Sequence, residues 1–152
     1  MNLGLGATLS KLKNQYPKVF NSWLANNTDV NRLAEVTSKY AYRPFDSDVN
    51  KNVIDTRTYF WTREFIYEAQ SSGQPLALIT TWIQNIEEQK KLKDESVTMP
   101  FNINNVDVTV CANSIYGITS GSIFNTNDFG TLFLNSPDLQ QVYLNSTKLS
   151  KF

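Results

Sequence analysis

Apolar residues recur along this chain mostly at gaps of three and four, the spacing of helices that bury one face. The first such stripe holds Leu9, Leu12, Tyr16, Val19, Phe20, Trp23 and Leu24. Pro17 interrupts it, which predicts a kink or two successive helices. Thr28 or Asp29 can cap the next helix, which carries Val30, Leu33, Ala34 and Tyr40. After a polar loop over 43–52, Ile54, Trp61, Phe65 and Ala69 share a face with Phe60 and Ile66 beside it, and Gly73 is the stop. Pro75 then opens a helix in which Leu76, Ile79, Ile83 and Ile86 recur at three, four and three, ending in the charged run 87–95. A second loop covers 95–106.

Asp107 can cap a helix bearing Val108, Cys111, Ile115 and Ile118, again at three, four and three. A short strand over 106–111 competes, because the residues alternate and are β-branched. The helix is preferred since its stripe continues past Cys111. Gly117, Ser120 and Gly121 give it a small-residue face open to another helix. Ser136-Pro137-Asp138 starts the last helix, with Leu139, Val142, Tyr143, Ser146 and Leu149 on one face. The sum is an all-α fold, an antiparallel array of about six helices built from helical hairpins. Ile83 and Ile115, central in their stripes, are the expected core markers.

At 152 residues the chain fits one domain spanning 1–152. The last stripe runs to Phe152 without a glycine or proline stop, so either the helix simply ends the protein or the chain is a fragment of a longer one. Fourteen basic and fourteen acidic residues leave no charge excess to favour nucleic acid. No apolar run is long enough to span a bilayer, and the first fifteen residues do not read as a secretory signal. Sequons stand at Asn26 and Asn145, of consequence only in a secreted protein.

The chain has one cysteine and no histidine. This excludes an internal disulfide, a Cys/His zinc site and any triad that uses an imidazole base. No metal or cofactor is expected. Asp46-Ser-Asp48-Val-Asn50-Lys-Asn52 has the alternating oxygens of half a calcium loop, but Lys51 stands where the turn needs glycine and Arg57 where the bidentate Glu belongs. A polar loop that caps the following helix is the plainer reading. Tyr59, Trp61 and Arg63, beside Asp55, could line an aromatic pocket, although any amphipathic core helix looks similar. Asp107, Asn113 and Tyr116 could present polar groups at the next helix. Cys111 reads as an inert buried thiol.

The string VDVTVCANSIYGITSG resembles helices of the α/α-toroid superfamily, which includes terpenoid-cyclase, protein-prenyltransferase and six-hairpin-glycosidase-like folds. Asp107, Thr109, Ala112 and Asn113 carry the likeness, and FDSDVNKNVIDTRTYFW fits a preceding hairpin. The resemblance implies helical hairpins or a partial toroid. It carries over no catalytic residue: Val49 follows Asp46-Ser-Asp48 where the cyclase motif continues with acids, and the prenyltransferase zinc site needs histidine. Two functions remain. One is a non-catalytic helical scaffold or binding module, with a protein partner or the remainder of a larger chain completing it. The other is an enzyme acting on a carbohydrate or isoprenoid-like ligand, with Asp46, Asp48, Asp55 and Asp107 as candidate acids and bases.

Overall fold

The computed structural model describes residues 2–27, 29–98 and 104–152. Among them are nine α-helices: α1 (Asn2–Lys11), α2 (Pro17–Ala25), α3 (Val30–Lys39), α4 (Val49–Asn52), α5 (Thr56–Ser71), α6 (Ile86–Asp94), α7 (Val108–Ile123), α8 (Phe129–Leu134) and α9 (Pro137–Leu149). The fold is all-α. No strand ladder occurs among the described residues, only one antiparallel bridge between Tyr42 and Leu78. No described helix is long and apolar enough to cross a membrane.

The count exceeds six for local reasons. Pro17 divides the first stripe into α1 and α2. Two short helices are added: α4 inside the polar loop over 43–52, and α8 between α7 and α9. Caps fix most of the long helices. Asp29 accepts from the Arg32 amide at 2.7 Å, while Thr28 lies outside the described residues. α5 ends in a Schellman motif: Gly73 adopts φ +64°, its N–H bonds Gln70 O, and the Gln74 N–H reaches back to Ala69 O. At α6, Asn85 and Glu88 exchange bonds as a capping box. Pro137 starts α9, but Ser136 makes no side-chain cap bond there.

α7 is the central helix, packed against α1, α8 and α9. The helix that approaches its small-residue face is α1: a Cβ at Gly121 would stand 3.2 Å from Leu3 Cδ2. α2 lies on the outer side of α1, so close that a Cβ at Gly6 would meet the Trp23 ring at 2.2 Å. α3 packs on α8 and α9. α5 is joined to the rest by Thr58, which bonds Asn105, and by Phe65, edge-on to Phe152 at 5.5 Å.

One predicted element is absent. Pro75 does not open a helix; residues 74–80 are extended and helix begins only at Ile86. Leu76, Ala77, Leu78 and Ile79 are all buried, so the segment is covered on every side. Helical periodicity and a short continuous apolar run cannot be told apart here, and the β-branched Ile79, Thr80 and Thr81 tilt the balance toward extended backbone. As a result Ile83 is not core but 61% exposed. Ile115, on α7, is only partly buried at the edge of the core. A second face is also rotated. α5 buries Thr58, Thr62, Phe65 and Ile66, leaving Phe60 and Trp61 in water.

Candidate functional site

The extended segment lies between α3 and α7, and beside it is a cavity of about 240 Å³. Three elements make most of its wall. α3 contributes Leu33, Ala34, Thr37 and, at its C-cap, Tyr40. From α7 come Val110, Ser114, Gly117 and Ile118, one face at helical spacing. The segment adds Ile79, Thr80, Thr81 and Ile83. Small residues at Ala34, Ser114 and Gly117 leave the space that larger side chains would fill. Ile83 and Leu33 are the most exposed of these residues and stand at its open side.

The wall is fixed by hydrogen bonds. Thr80 Oγ1 donates to Tyr40 O at 2.9 Å and lies 3.0 Å from Trp82 O. Thr37 Oγ1 donates to Leu33 O at 2.8 Å. The Tyr40 hydroxyl bonds Glu88 on α6, with Lys39 Nζ 4.8 Å from the centre of its ring. Behind the cavity, Ile79 is held at both backbone groups: its N–H donates to Ser146 Oγ at 3.0 Å and Cys111 Sγ donates to its carbonyl at 3.7 Å. Burial, with the charge of Asp107 adding, pushes the Cys111 thiol up to about 12, while a hydrogen bond with Ser146 pulls the other way. Such a thiol is a poor nucleophile at neutral pH. The Thr81 hydroxyl is closed off from water and has no partner among the described residues.

No Asp, Glu, Lys or Arg lines this cavity. The four candidate carboxylates lie elsewhere and already have partners. Asp46 accepts from the Asp48 amide at 2.9 Å and faces Lys51 Nζ at 3.5 Å. The amide bond of Asp48 above all, with Lys51 and Arg43 adding, holds its carboxyl below the usual range against the opposing effect of desolvation. Asp48 caps α4 through the Asn50 amide. Lys51, in place of the calcium-loop glycine, therefore serves as an ion-pair partner inside a helical turn. Asp55 is 1% exposed and takes Arg57 in a two-pronged pair at 2.9 and 2.8 Å. Asp107 caps α7, accepting from the amides of Thr109 and Val110 at 2.8 and 3.1 Å and from the Thr109 hydroxyl. The Thr109 hydroxyl, more than the amides, lowers its pKa. The turn before α4 brings Asp46 and Asp48 together; Asp55 and Asp107 each sit at the head of a separate helix. Among the described residues no three His, Cys, Asp or Glu side chains group as a metal site.

The aromatic candidates sit on outer faces. Tyr59, Trp61 and Arg63 are exposed on α5, where Arg63 stacks 4.9 Å over Phe60 and pairs with Glu64 at 3.3 Å. Asn113 and Tyr116 are exposed on α7, with Tyr116 lying over Gly4 of α1. Their sequence neighbours Ser114 and Gly117 are the residues that line the cavity. One residue along a helix turns the side chain by about 100°, so Asn113 and Tyr116 lie on the face beside the cavity wall. Thr81 and Tyr40 also line it, and neither was a candidate. The signal for them is the β-branched Ile79-Thr80-Thr81 run behind a proline, a length that suits extended backbone.

No family model matches this chain, and no curated protein or solved structure matches it either.

Proposed function

We propose that this protein is a non-catalytic helical module that binds an apolar group in the cavity between α3, α7 and the 79–83 segment. The observation that carries this reading is the uncharged wall. Acid–base catalysis needs a titratable group within reach of the reacting atoms, and the candidate carboxylates cap helices or pair with cations away from the cavity. A largely apolar recess with a few fixed polar groups is the usual form of a small-ligand site. The exposed Ile83 and Leu33 at its opening add apolar surface to meet the bound group.

The test is a thermal-shift and NMR screen of the purified chain against small apolar probes, run beside an assay for turnover of aryl glycosides and isoprenoid diphosphates. Saturable binding that moves the resonances of Ile79 and Ile118 without turnover is the expected result. Turnover that vanishes in Asp46→Asn or Asp55→Asn would overturn it in favour of the carboxylate enzyme.

A further inference from the structure

We infer that one end of the molecule, formed by the α1–α2 turn and the last residues of α7, docks on the surface of an anionic phospholipid membrane. The cavity between α3 and α7 takes no part in this.

The balanced charge of the whole chain hides an uneven distribution. Residues 2–27 hold three lysines, Lys11, Lys13 and Lys18, and no acid, leaving eleven basic and fourteen acidic residues in the remainder. All three lysines are exposed, and none has an ion pair among the described residues. Tyr16 and Val19 stand beside them, about half exposed, and residues 13–19 are exposed without a break.

Lys11 joins this turn to α7, since its Nζ lies 4.4 Å from the centre of the Phe124 ring. Ile123, next to Phe124, shares a shallow pocket with Leu134 of α8. At 71% and 75%, Ile123 and Leu134 are the two most exposed large apolar side chains among the described residues. The acids nearest to them in sequence are engaged: Asp128 faces the Asn125 amide at 3.4 Å, and Asp138 pairs with Arg43 at 2.6 Å.

Exposed lysines beside exposed branched and aromatic side chains are the features of a surface that lies in the headgroup layer of a membrane. A protein partner would have to match these separate side chains in shape. Fluid lipid needs no such match. The lysine stems can lie along the apolar side chains while their ammonium groups meet lipid phosphates. The remainder of the chain, with its acidic excess, is repelled by the same surface, so charge turns this end toward the lipid. Three lysines and a few apolar side chains give reversible attachment, not a permanent anchor.

The experiment is co-sedimentation of the purified chain with vesicles of phosphatidylcholine, with and without about one-third phosphatidylserine. The native chain should bind the phosphatidylserine vesicles and leave the neutral ones unbound, and about 0.5 M salt should release most of it. Lys11→Gln/Lys13→Gln/Lys18→Gln should weaken binding by about 100-fold, near fivefold for each lysine at the surface. Ile123→Ser/Leu134→Ser should weaken it at least about tenfold while keeping the salt dependence. Lys90→Gln/Lys91→Gln/Lys93→Gln on α6, where the lysines stand among acids, is the control and should bind as the native chain does. All the altered side chains are exposed, and circular dichroism checks that each variant keeps its fold. Equal binding to neutral vesicles, or equal loss in the α6 control, overturns the proposal. So does polyglutamate binding as tight as vesicle binding and indifferent to Ile123→Ser/Leu134→Ser, which would make the partner a soluble acidic chain. Self-association without lipid that the same variants abolish would assign this end to a second copy, and a native chain that sediments with neither vesicle binds no membrane.

Discussion

Ser146 Oγ on α9 accepts a hydrogen bond from the backbone N–H of Ile79, 67 residues earlier in the chain, at 3.0 Å. Two similar tethers lie nearby: Asn145 Nδ2 donates to Pro75 O at 3.3 Å, and Cys111 Sγ to Ile79 O. An extended segment buried among helices has no ladder to satisfy its amides, so side chains and one short bridge to Tyr42 do so instead. These contacts also set the wall of the cavity, because Ile79 faces it from the same segment.

Ser146→Ala should therefore destabilise by about 1–3 kcal/mol, the cost of leaving a buried amide unpaired. Urea denaturation measures this directly. Stability equal to the native chain would mean that another acceptor takes over the Ile79 N–H.

Cys111 should resist thiol reagents in the folded protein. Its side chain is fully buried, and its pKa is raised from 9.0 to about 12. The raised value means the native state holds the proton more tightly than the unfolded state does. Its contribution to stability is complete below pH 9.0 and is lost as pH climbs toward 12. At pH 8, alkylation should proceed no faster than the protein opens, and fast labelling of the native chain would contradict this burial.

Asp107→Ala should cost about 0.5–2 kcal/mol, and Asp107→Asn less, because Asn still caps. The folded carboxyl is lowered from 3.8. Its contribution is thus present above that pH and lost as pH falls below it. A plot of unfolding free energy against pH should show the native chain and Asp107→Ala converging on the acid side. Parallel curves would argue against the cap.

Ile118→Ala should cost about 2–5 kcal/mol, while Ile83→Ala should stay within about 0.5 kcal/mol. The first side chain is 6% exposed and the second 61%. Equal losses in the two variants would show that Ile83 is buried in solution.

The contrast between these isoleucines shows where sequence reasoning reached its limit. The stripes of α3, α7 and α9 were legible because each helix carries its own cap or start and its own buried face: Asp29 with Ala34, Asp107 with Cys111 and Ile118, Pro137 with Leu139, Val142 and Ser146. Residues 75–86 were not. Their spacing suits a helix, and what keeps residues 74–80 out of one is pairing with Tyr42 and Ser146, far away in sequence. On α5, aromatic side chains outrank threonine as core candidates. Yet Thr62 is fully buried because its hydroxyl bonds Thr58 O at 2.9 Å and no longer needs water. The cavity was invisible for a related reason, since its wall comes from three elements and each supplies only a few small or branched residues.

The tethers on Ile79 also bear on how fast this chain folds. Helical proteins usually fold quickly because their contacts are short-range. Here the central segment reaches back 40 residues, from Thr80 to Tyr40, and forward 67, from Ile79 to Ser146. Two wide loops must close before it is enclosed, and each closure costs entropy before any contact rewards it. Stopped-flow refolding should accordingly be slower than for a simple bundle of this size. Ser146→Ala will speed unfolding and leave the refolding rate nearly unchanged if the segment is fastened only after α7 and α9 have met.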